Sequence, residues 1–588
     1  MAAENLITEH IDIWASAVKT KSTSGRGSSK KLELYGVKKL RELILELAVR
    51  GKLVPQDPND EPASVLLERI AQEKAQLVKE KKIKKPKKLP NISDEEKPFD
   101  LPNGWKWVRF PDVAHYGPGK TPATKNSLYW DETGSGIPWV SIADLNDKST
   151  VSVSTKKISD IAVEQVFKRT PIPAGTMLMS FKLTVGKISI LNVDAFHNEA
   201  IISVFPYTGV LQSYLFKVLP SRANSGNKKN AIMGFTLNAE SLSLLTIPLP
   251  PEAEQHRIVA KVDELMALCD QLEQQTEASI EAHQVLVTTL LDTLTHSADA
   301  DELMQNWARI SEHFDTLFTT EESIDQLKQT ILQLAVMGKL VPQDPSDEPA
   351  SELLKRVAEK KAQLVKKKKI KKEKALPPIA EDEKPFELPS GWEWCRLEDV
   401  VDIQSGITKG RKLAGRELKT IPYLSVANVQ RGYLILNNVK EIDLPIDELE
   451  KYSVEDGDLL ITEGGDWDKV GRTAIWRSEV PYMAHQNHVF KARPFLKEQS
   501  EAWLEMYLNG PFARKYFAGS SKQTTNLASI NKTQLRSCLI AVPPRDEKKE
   551  ISDRVQELIG MCDLLLEGIR ASLQTQLQLT DVIVDQAV

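Results

Sequence analysis

The 14 residues from Gly51 to Ser64, GKLVPQDPNDEPAS, return at Gly338 to Ser351 as GKLVPQDPSDEPAS. The register holds without a gap from Leu40 and Leu327 to Trp107 and Trp394. Roughly 40 of the 57 positions between Gly51 and Trp107 are identical in the second copy. A period this long is not that of a solenoid, whose units of about 20–50 residues stack on their neighbours. It divides the chain into two similar halves, so any fold must place the same segment twice.

Beyond Trp107 identity collapses, but a skeleton persists. GIPWVSIADL (136–145) faces TIPYLSVANV (420–429), VGKISI (185–190) faces VGRTAIW (470–476), and HNEAIISVFP (197–206) faces HQNHVFKARP (485–494). Strong likeness returns at PLPPEAEQHRIVAKVDELMALCDQL (248–272) and AVPPRDEKKEISDRVQELIGMCDLL (541–565). Each half therefore reads as shared segment, divergent globular segment, shared helix. The boundaries fall at 1–107 (helical, with a basic linker), 108–245 (first divergent domain), 246–394 (long helix, then the second copy of the repeat), 395–540 (second divergent domain) and 541–588 (final helix).

The apolar spacing predicts a helix over 5–20, with Leu6, Ile7, Ile11, Ile13 and Trp14 on one face, then a Ser/Gly break at 22–31. Helix resumes at about 37–49, Gly51 stops it, and Pro55, Pro58 and Pro62 keep the next stretch extended. A third helix, about 63–82, ends in the lysine run at 79–88, whose twin is 366–374. Two readings of these runs stay open, a solvated linker or a phosphate contact. From 101 and 388 onward short alternating stretches punctuated by Gly and Pro take over, which predicts two mixed α/β, mainly β domains of about 140 residues. After Pro251 and Pro544 the pattern is most regular. Ile258, Val262, Leu265, Cys269, Leu272 and Thr276 step by four and three, and Ile551, Val555, Leu558, Cys562, Leu565 and Ile569 repeat the steps. This is the a/d seam of a coiled coil. The seams are expected to pair with each other, antiparallel, on helices reaching about Leu294 and Val584; packing on a domain face is the alternative. The fold class is α+β, two similar domains separated by long helices, with a pseudo-twofold internal repeat.

Composition excludes little. The net charge of −5 neither advertises nor forbids nucleic acid, since a local patch matters more than a total. Cys269, Cys395, Cys538 and Cys562 form no C-x-x-C pair and suit a reducing compartment. The opening MAAENLITEH has acids where a signal peptide needs basic and apolar residues, and no apolar run has the length of a membrane span, so a cytoplasmic protein without membrane contact is expected. Catalytic motifs are missing. GPGKTP (117–122) ends like a phosphate-binding loop, but Ala114 stands where that motif needs glycine. No metalloprotease, nucleophile-elbow, dinucleotide or amino-methyltransferase signature occurs. His485 and His488 lack a third metal ligand nearby. The acids of EGGDWDK (463–469) face SFKLT (180–184) in the first half and are not shared. No catalytic residue and no metal site is expected.

Two divergent domains follow the steps GWKW and GWEW, and each ends in a Pro-Pro step into a heptad helix, PLPPEAEQHRI and AVPPRDEKKEI. This resembles the specificity subunit of type I restriction–modification systems, over almost the whole chain, in the branch with large blocks before each recognition domain. The second half departs from the family's step, with lysine where the first has Gln255. The resemblance implies a non-catalytic DNA-binding subunit whose two domains each read half of a split asymmetric target, the helices setting the gap. It implies double-stranded DNA, two modification (adenine methyltransferase) subunits and restriction–translocase subunits as partners, with S-adenosylmethionine, ATP and magnesium on those partners and no cofactor in this chain. An unrecognised DNA-modifying enzyme and a coiled-coil adaptor without DNA contact are the competing readings.

Reading bases and phosphates needs Lys, Arg, Asn, Gln or small hydroxyl residues on loops. The first domain carries 14 basic against 10 acidic residues, mildly basic in an acidic chain. Its candidates are Lys120, Thr121 and Lys125, then Lys182, Thr184 and Lys187, then Asn227, Lys228 and Lys229. Those of the second are Thr408, Lys409 and Arg411, then Lys469 and Arg472, then Lys522, Gln523 and Thr524.

Overall fold

The computed structural model describes residues 8–21, 31–83, 85, 88–225, 229–231, 234–298, 300–465, 469–524 and 527–588. The described residues form two compact units, one from those up to 277 together with 573–588, the other from 278–572.

Helix α1 (Tyr35–Val49) buries Val37, Leu40, Leu43, Ile44 and Leu47. It stops at Gly51, whose φ of +67° suits a residue without a Cβ; Lys52 N–H closes the turn on the Leu47 carbonyl at 2.9 Å. A Cβ here would meet Pro102 at 2.5 Å and Trp105 at 2.9 Å, so packing also fixes the glycine. Then come α2 (Ala63–Lys79) and the first long helix, α3 (Glu252–His296). The repeat delivers α4 (Glu321–Val336) and α5 (Ala350–Lys366), and Gly338 copies Gly51 with φ +67° against Pro389 and Trp392. The second long helix is α6 (Arg545–Ala587). Acids in the first turns of α3 and α6 suit the positive end of the helix dipole.

The helix expected over 5–20 is shorter. It spans Ile11–Ser16 and gives way to a strand, Lys19–Lys21, paired with Lys31–Glu33. Docking ends it: Gly36 N–H bonds the Ala17 carbonyl at 2.8 Å, and the Trp14 backbone lies where a Cβ on Gly36 would be. Trp14 is fully buried and Ile11 is exposed; Leu6 and Ile7 lie outside the described residues.

In the first unit Tyr35 donates to Asp581 at 2.7 Å and Arg50 to the Val588 carbonyl at 3.1 Å, so α6 runs with α1. Arg41 pairs with Asp270 and Glu273, whereas Gln56, beyond the end of α1, reaches Glu254; α3 therefore runs against α1. In the second unit Gln284 meets Glu322 and Thr288 meets Gln326, while Asp563 meets Lys328 and Arg570 meets Glu321, so α3 runs with α4 and α6 against it. The two long helices are antiparallel within each unit, and a repeat helix, α1 or α4, is added to each pair. Ile258, Val262, Leu265 and Cys269 are buried, with Leu272 and Thr276 half-buried. Ile551, Val555 and Cys562 are buried in one cluster with Ile324, Leu327 and Ile331 of α4 and Val287 and Leu291 of α3; Leu558 and Ile569 pack on its edge. Leu565 departs from the expected seam. It is 38 % exposed, and Leu566 packs inward instead. The cluster under α6 includes α4 residues beside those of α3, so the buried face is wider than a two-helix seam and takes in Leu566.

Each divergent domain hangs from a two-stranded ribbon. Lys106–Arg109 pairs antiparallel with Thr246–Leu249, and Glu393–Arg396 with Leu539–Val542. The chain thus enters and leaves each domain side by side, and what lies between can change while the junction persists. The first domain holds a five-stranded sheet, in the order Ala114–Pro118, Ile201–Pro206, Met177–Ser180, Ile188–Leu191, Ser149–Val151, and a four-stranded one around Ile137–Val140. The second has four strands, Val401–Gln404, Val489–Pro494, Leu459–Thr462 and Thr473–Ile475, and three around Leu418–Leu424. Among the described residues no helix is long and apolar enough to cross a membrane.

Candidate nucleic-acid interface

Loops far apart in sequence are gathered at one edge of each domain. In the first, β1 (Lys182–Leu183), β2 (Lys229–Ala231) and β3 (Gly234–Thr236) form a sheet in the order β1-β3-β2, and Lys182 and Lys229 both stand opposite Thr236. In the second, β4 (Gly464–Gly465), β5 (Lys522–Thr524) and β6 (Leu527–Ser529) repeat it as β4-β6-β5, and Gly464 and Lys522 stand opposite Ser529. Lys522, Gln523 and Thr524 thus share the ribbon position held in the first domain by Lys229, Asn230 and Ala231. Asn227 and Lys228 lie outside the described residues.

The remaining loop joins the same edge. Phe181 N–H bonds the Ala200 carbonyl at 2.9 Å, the Thr121 hydroxyl donates to the neighbouring Glu199, and Lys120 N–H bonds the His197 carbonyl at 2.9 Å. In the second domain Ile407 N–H bonds the His485 carbonyl at 2.8 Å, Asn487 N–H the Ile407 carbonyl at 3.0 Å, and Glu463 N–H the His488 carbonyl at 2.9 Å. Gly119 and Gly406 make this approach feasible, since a Cβ on either would overlap the histidine carbonyl oxygen.

The candidate side chains divide by what already holds them. Lys125, Thr184 and Thr408 are exposed. Lys409 lies over the Tyr423 ring at 5.1 Å and Lys182 over Phe181 at 5.2 Å. Others are engaged within the fold. Lys120 donates to the Val166 carbonyl at 3.0 Å and Lys187 to that of Ile142 at 3.2 Å; Arg411 pairs with Glu448 at 2.8 Å; Arg472 donates to Gln430 at 2.5 Å. Lys469 is half-buried, and its carbonyl accepts the Thr462 hydroxyl. The partners of Arg411, Arg472 and Lys187 lie 37, 42 and 45 residues away in the sequence, and no local pattern announces them.

His485 is fully buried, with Nδ1 2.7 Å from the Val489 carbonyl, and His197 is buried likewise in the first domain. Burial pushes each down to about 4, so both are neutral at neutral pH. His488 instead lies at the surface, 2.6 Å from Glu463. All four cysteines are buried, and burial pushes every thiol up, Cys269 to about 11, which makes them poor nucleophiles. Among the described residues no group of three or more His, Cys, Asp or Glu could hold a metal ion.

The anchor of each long helix is a buried glutamate. Glu254, buried, accepts from Trp105 Nε1 at 2.9 Å and Gln56 at 3.0 Å; Glu547 accepts from Trp392 Nε1 at 2.9 Å and Gln343 at 3.2 Å. Three duplicated texts, GKLVPQDP, the GW step and the Pro-Pro step, are thus parts of one joint. Their co-duplication was the available signal. At the place of Gln255, which accepts from Leu211 N–H at 2.8 Å, the second unit has Lys548, donating to the Gln499 carbonyl at 3.4 Å and pushed down to about 8 by burial. Flanking each joint, Arg109 grips Glu96 at 2.7 Å and Arg396 grips Glu383 at 3.0 Å.

A family model described as "Type I restriction modification DNA specificity domain" matches residues 102–282 and 389–575, one match per half. The type I restriction enzyme EcoEI specificity subunit of Escherichia coli is 42% identical, and the EcoAI specificity subunit of the same species 43%, each over 100% of both chains. Among solved structures, a crystal structure of the HsdS subunit from Thermoanaerobacter tengcongensis is 18% identical over 83% of this chain and 98% of its own, with a TM-score of 0.39. Both matched stretches run from the GW step through the domain and into the long helix, taking in the tryptophan and the glutamate of the joint just described; the chain belongs to the type I restriction modification DNA specificity family.

Proposed function

We propose that this chain selects the DNA site on which a type I restriction–modification complex acts. The domains at 108–245 and 395–540 each read one half of a split asymmetric target through the edge where their loops meet, and the two long helices fix the unread gap. The observation that carries this is the contrast within each half. A paired ribbon and a joint built on the same glutamine, tryptophan and glutamate recur in both halves, while the loops gathered beside them differ between the halves. Two equal joints suit two equal modification subunits, with restriction–translocase subunits joining them. S-adenosylmethionine, ATP and magnesium belong to those partners. The chain supplies no catalytic group and works in the cytoplasm. Replacing 108–245 with the corresponding segment of the EcoEI subunit, followed by mapping of methylated sites, is expected to change one half-site and leave the other; a change in both overturns the reading. The purified chain with S-adenosylmethionine is expected to methylate nothing alone, whereas turnover would favour an enzyme.

A further inference from the structure

Seven of the nine residues at 366–374 are lysines, as are seven of the ten at 79–88. Each run also holds one glutamate, so together they carry +12 in a chain of net −5, which leaves −17 for the rest. The run of the second unit is fully described. Helix α5 ends at Lys366, the remaining six lysines follow it, and all seven are exposed. The carboxylate of Glu373 is already taken by Lys532 at 2.7 Å. A helix C-terminus attracts cations within about its last turn, which accounts for the first lysines and not for those at 369–374. All lie within about a Debye length of their neighbours and repel one another. Even the left-handed residue that closes the helix, where glycine adopts φ > 0 without steric cost, is lysine in both copies, Lys81 at +57° and Lys368 at +56°.

The segment is also held in place. Ile370 is half-buried within the run, Arg536 donates to the Lys374 carbonyl at 2.6 Å, and Arg396 donates to that of Pro377 at 3.2 Å. Lys532, which takes Glu373, follows three residues after Ser529, the β6 residue opposite Lys522. The run therefore ends beside the foot of the ribbon in the candidate interface. A positive surface that repels itself, is anchored there and lies in an otherwise acidic chain fits a regular polyanion.

We infer that the run at 366–374, and its twin at 79–88, grip the phosphate backbone of duplex DNA beside the half-site read by the adjoining domain, without reading its sequence. This rests on the reading of those domains as DNA-binding. Lys84 and Lys87 of the twin lie outside the described residues. The test uses the full chain assembled with its methyltransferase partners. It compares wild type, a triple variant (Lys369→Gln, Lys371→Gln, Lys372→Gln) and the matching Lys→Arg triple, on a target duplex and an unrelated duplex, from about 50 to 200 mM salt. The Gln triple is expected to weaken both duplexes by the same factor and to make the log–log salt slope shallower by about 0.9 for each phosphate no longer neutralised. The methylated sequence should not change, and the Arg triple should keep the wild-type slope. An unchanged slope in the Gln triple overturns the inference. So does loss of partner assembly with an unchanged slope, which would assign the surface to an acidic protein partner. If wild type fails to tell the two duplexes apart, the site-reading proposal fails instead, and the slope comparison still decides the role of the lysines.

Discussion

His197 and His485 occupy matching positions, each buried and each lending its carbonyl to the first loop of its domain. Their folded values of about 4 lie below the ordinary 6.5, so the folded chain refuses a proton that the unfolded chain takes. The stability they contribute is full above pH 6.5 and is lost as the pH falls from 6.5 towards 4, by up to about 3 kcal/mol per histidine. Glu96, held near 2 by its hydrogen bonds from Arg109, acts in a lower window, between 4.5 and 2. His485→Gln is expected to narrow the difference between urea midpoints measured at pH 4.5 and pH 7.5; an unaltered difference would exclude this histidine as its source. Gly406 makes a steric prediction. Alanine there would collide with the His485 carbonyl, which cannot rotate away, and should cost about 1–3 kcal/mol. Gly560→Ala, in open space on α6, should be neutral or stabilising by up to about 1 kcal/mol. Thermal melting of the two variants checks the contrast.

At the level of elements, the joint at the start of each long helix matters most. Burial pushes Glu547 up, opposed by hydrogen bonds from Gln343 and Trp392. Trp392→Phe keeps the ring packing and removes a donor to a buried carboxyl, so it is expected to cost about 1–3 kcal/mol. Glu547→Gln keeps an acceptor without the charge and should cost less. Chemical denaturation of both variants measures the difference, and equal losses would mean that volume, not hydrogen bonding, secures the helix. The slip from Leu565 to Leu566 belongs to this scale too: a heptad seam written in sequence became a wider buried face because α4 packs beside α6.

For the whole molecule, α3 passes from the first unit to the second after Glu277, and α6 returns after Ser572. Inserting four residues after each of these positions lengthens both helices by about 6 Å. At about 3.4 Å per base pair the unread gap of the target should grow by one or two base pairs, with both half-sites unchanged. The insertion also disturbs the seam, and affinity should fall somewhat. Mapping methylated sites in cells that carry the lengthened chain gives the gap directly. An unchanged gap with activity retained would show that these helices are not the ruler.

The sequence by itself determined the division into halves, the two long helices with most of their buried positions, the glycine stops at Gly51 and Gly338, and the β character of the divergent domains. These follow from duplication, local periodicity and turn chemistry, which are written in neighbouring residues. Only the tertiary structure decided that the first helix ends at Ser16, that Trp105 and Trp392 lock onto Glu254 and Glu547, and that Arg411 and Arg472 are spent on Glu448 and Gln430. It also decided that Lys182 and Lys229, 47 positions apart, flank the same threonine. Each of these is a pairing between distant residues whose partners are chosen by the packing of strands and helices, and no local pattern records that choice.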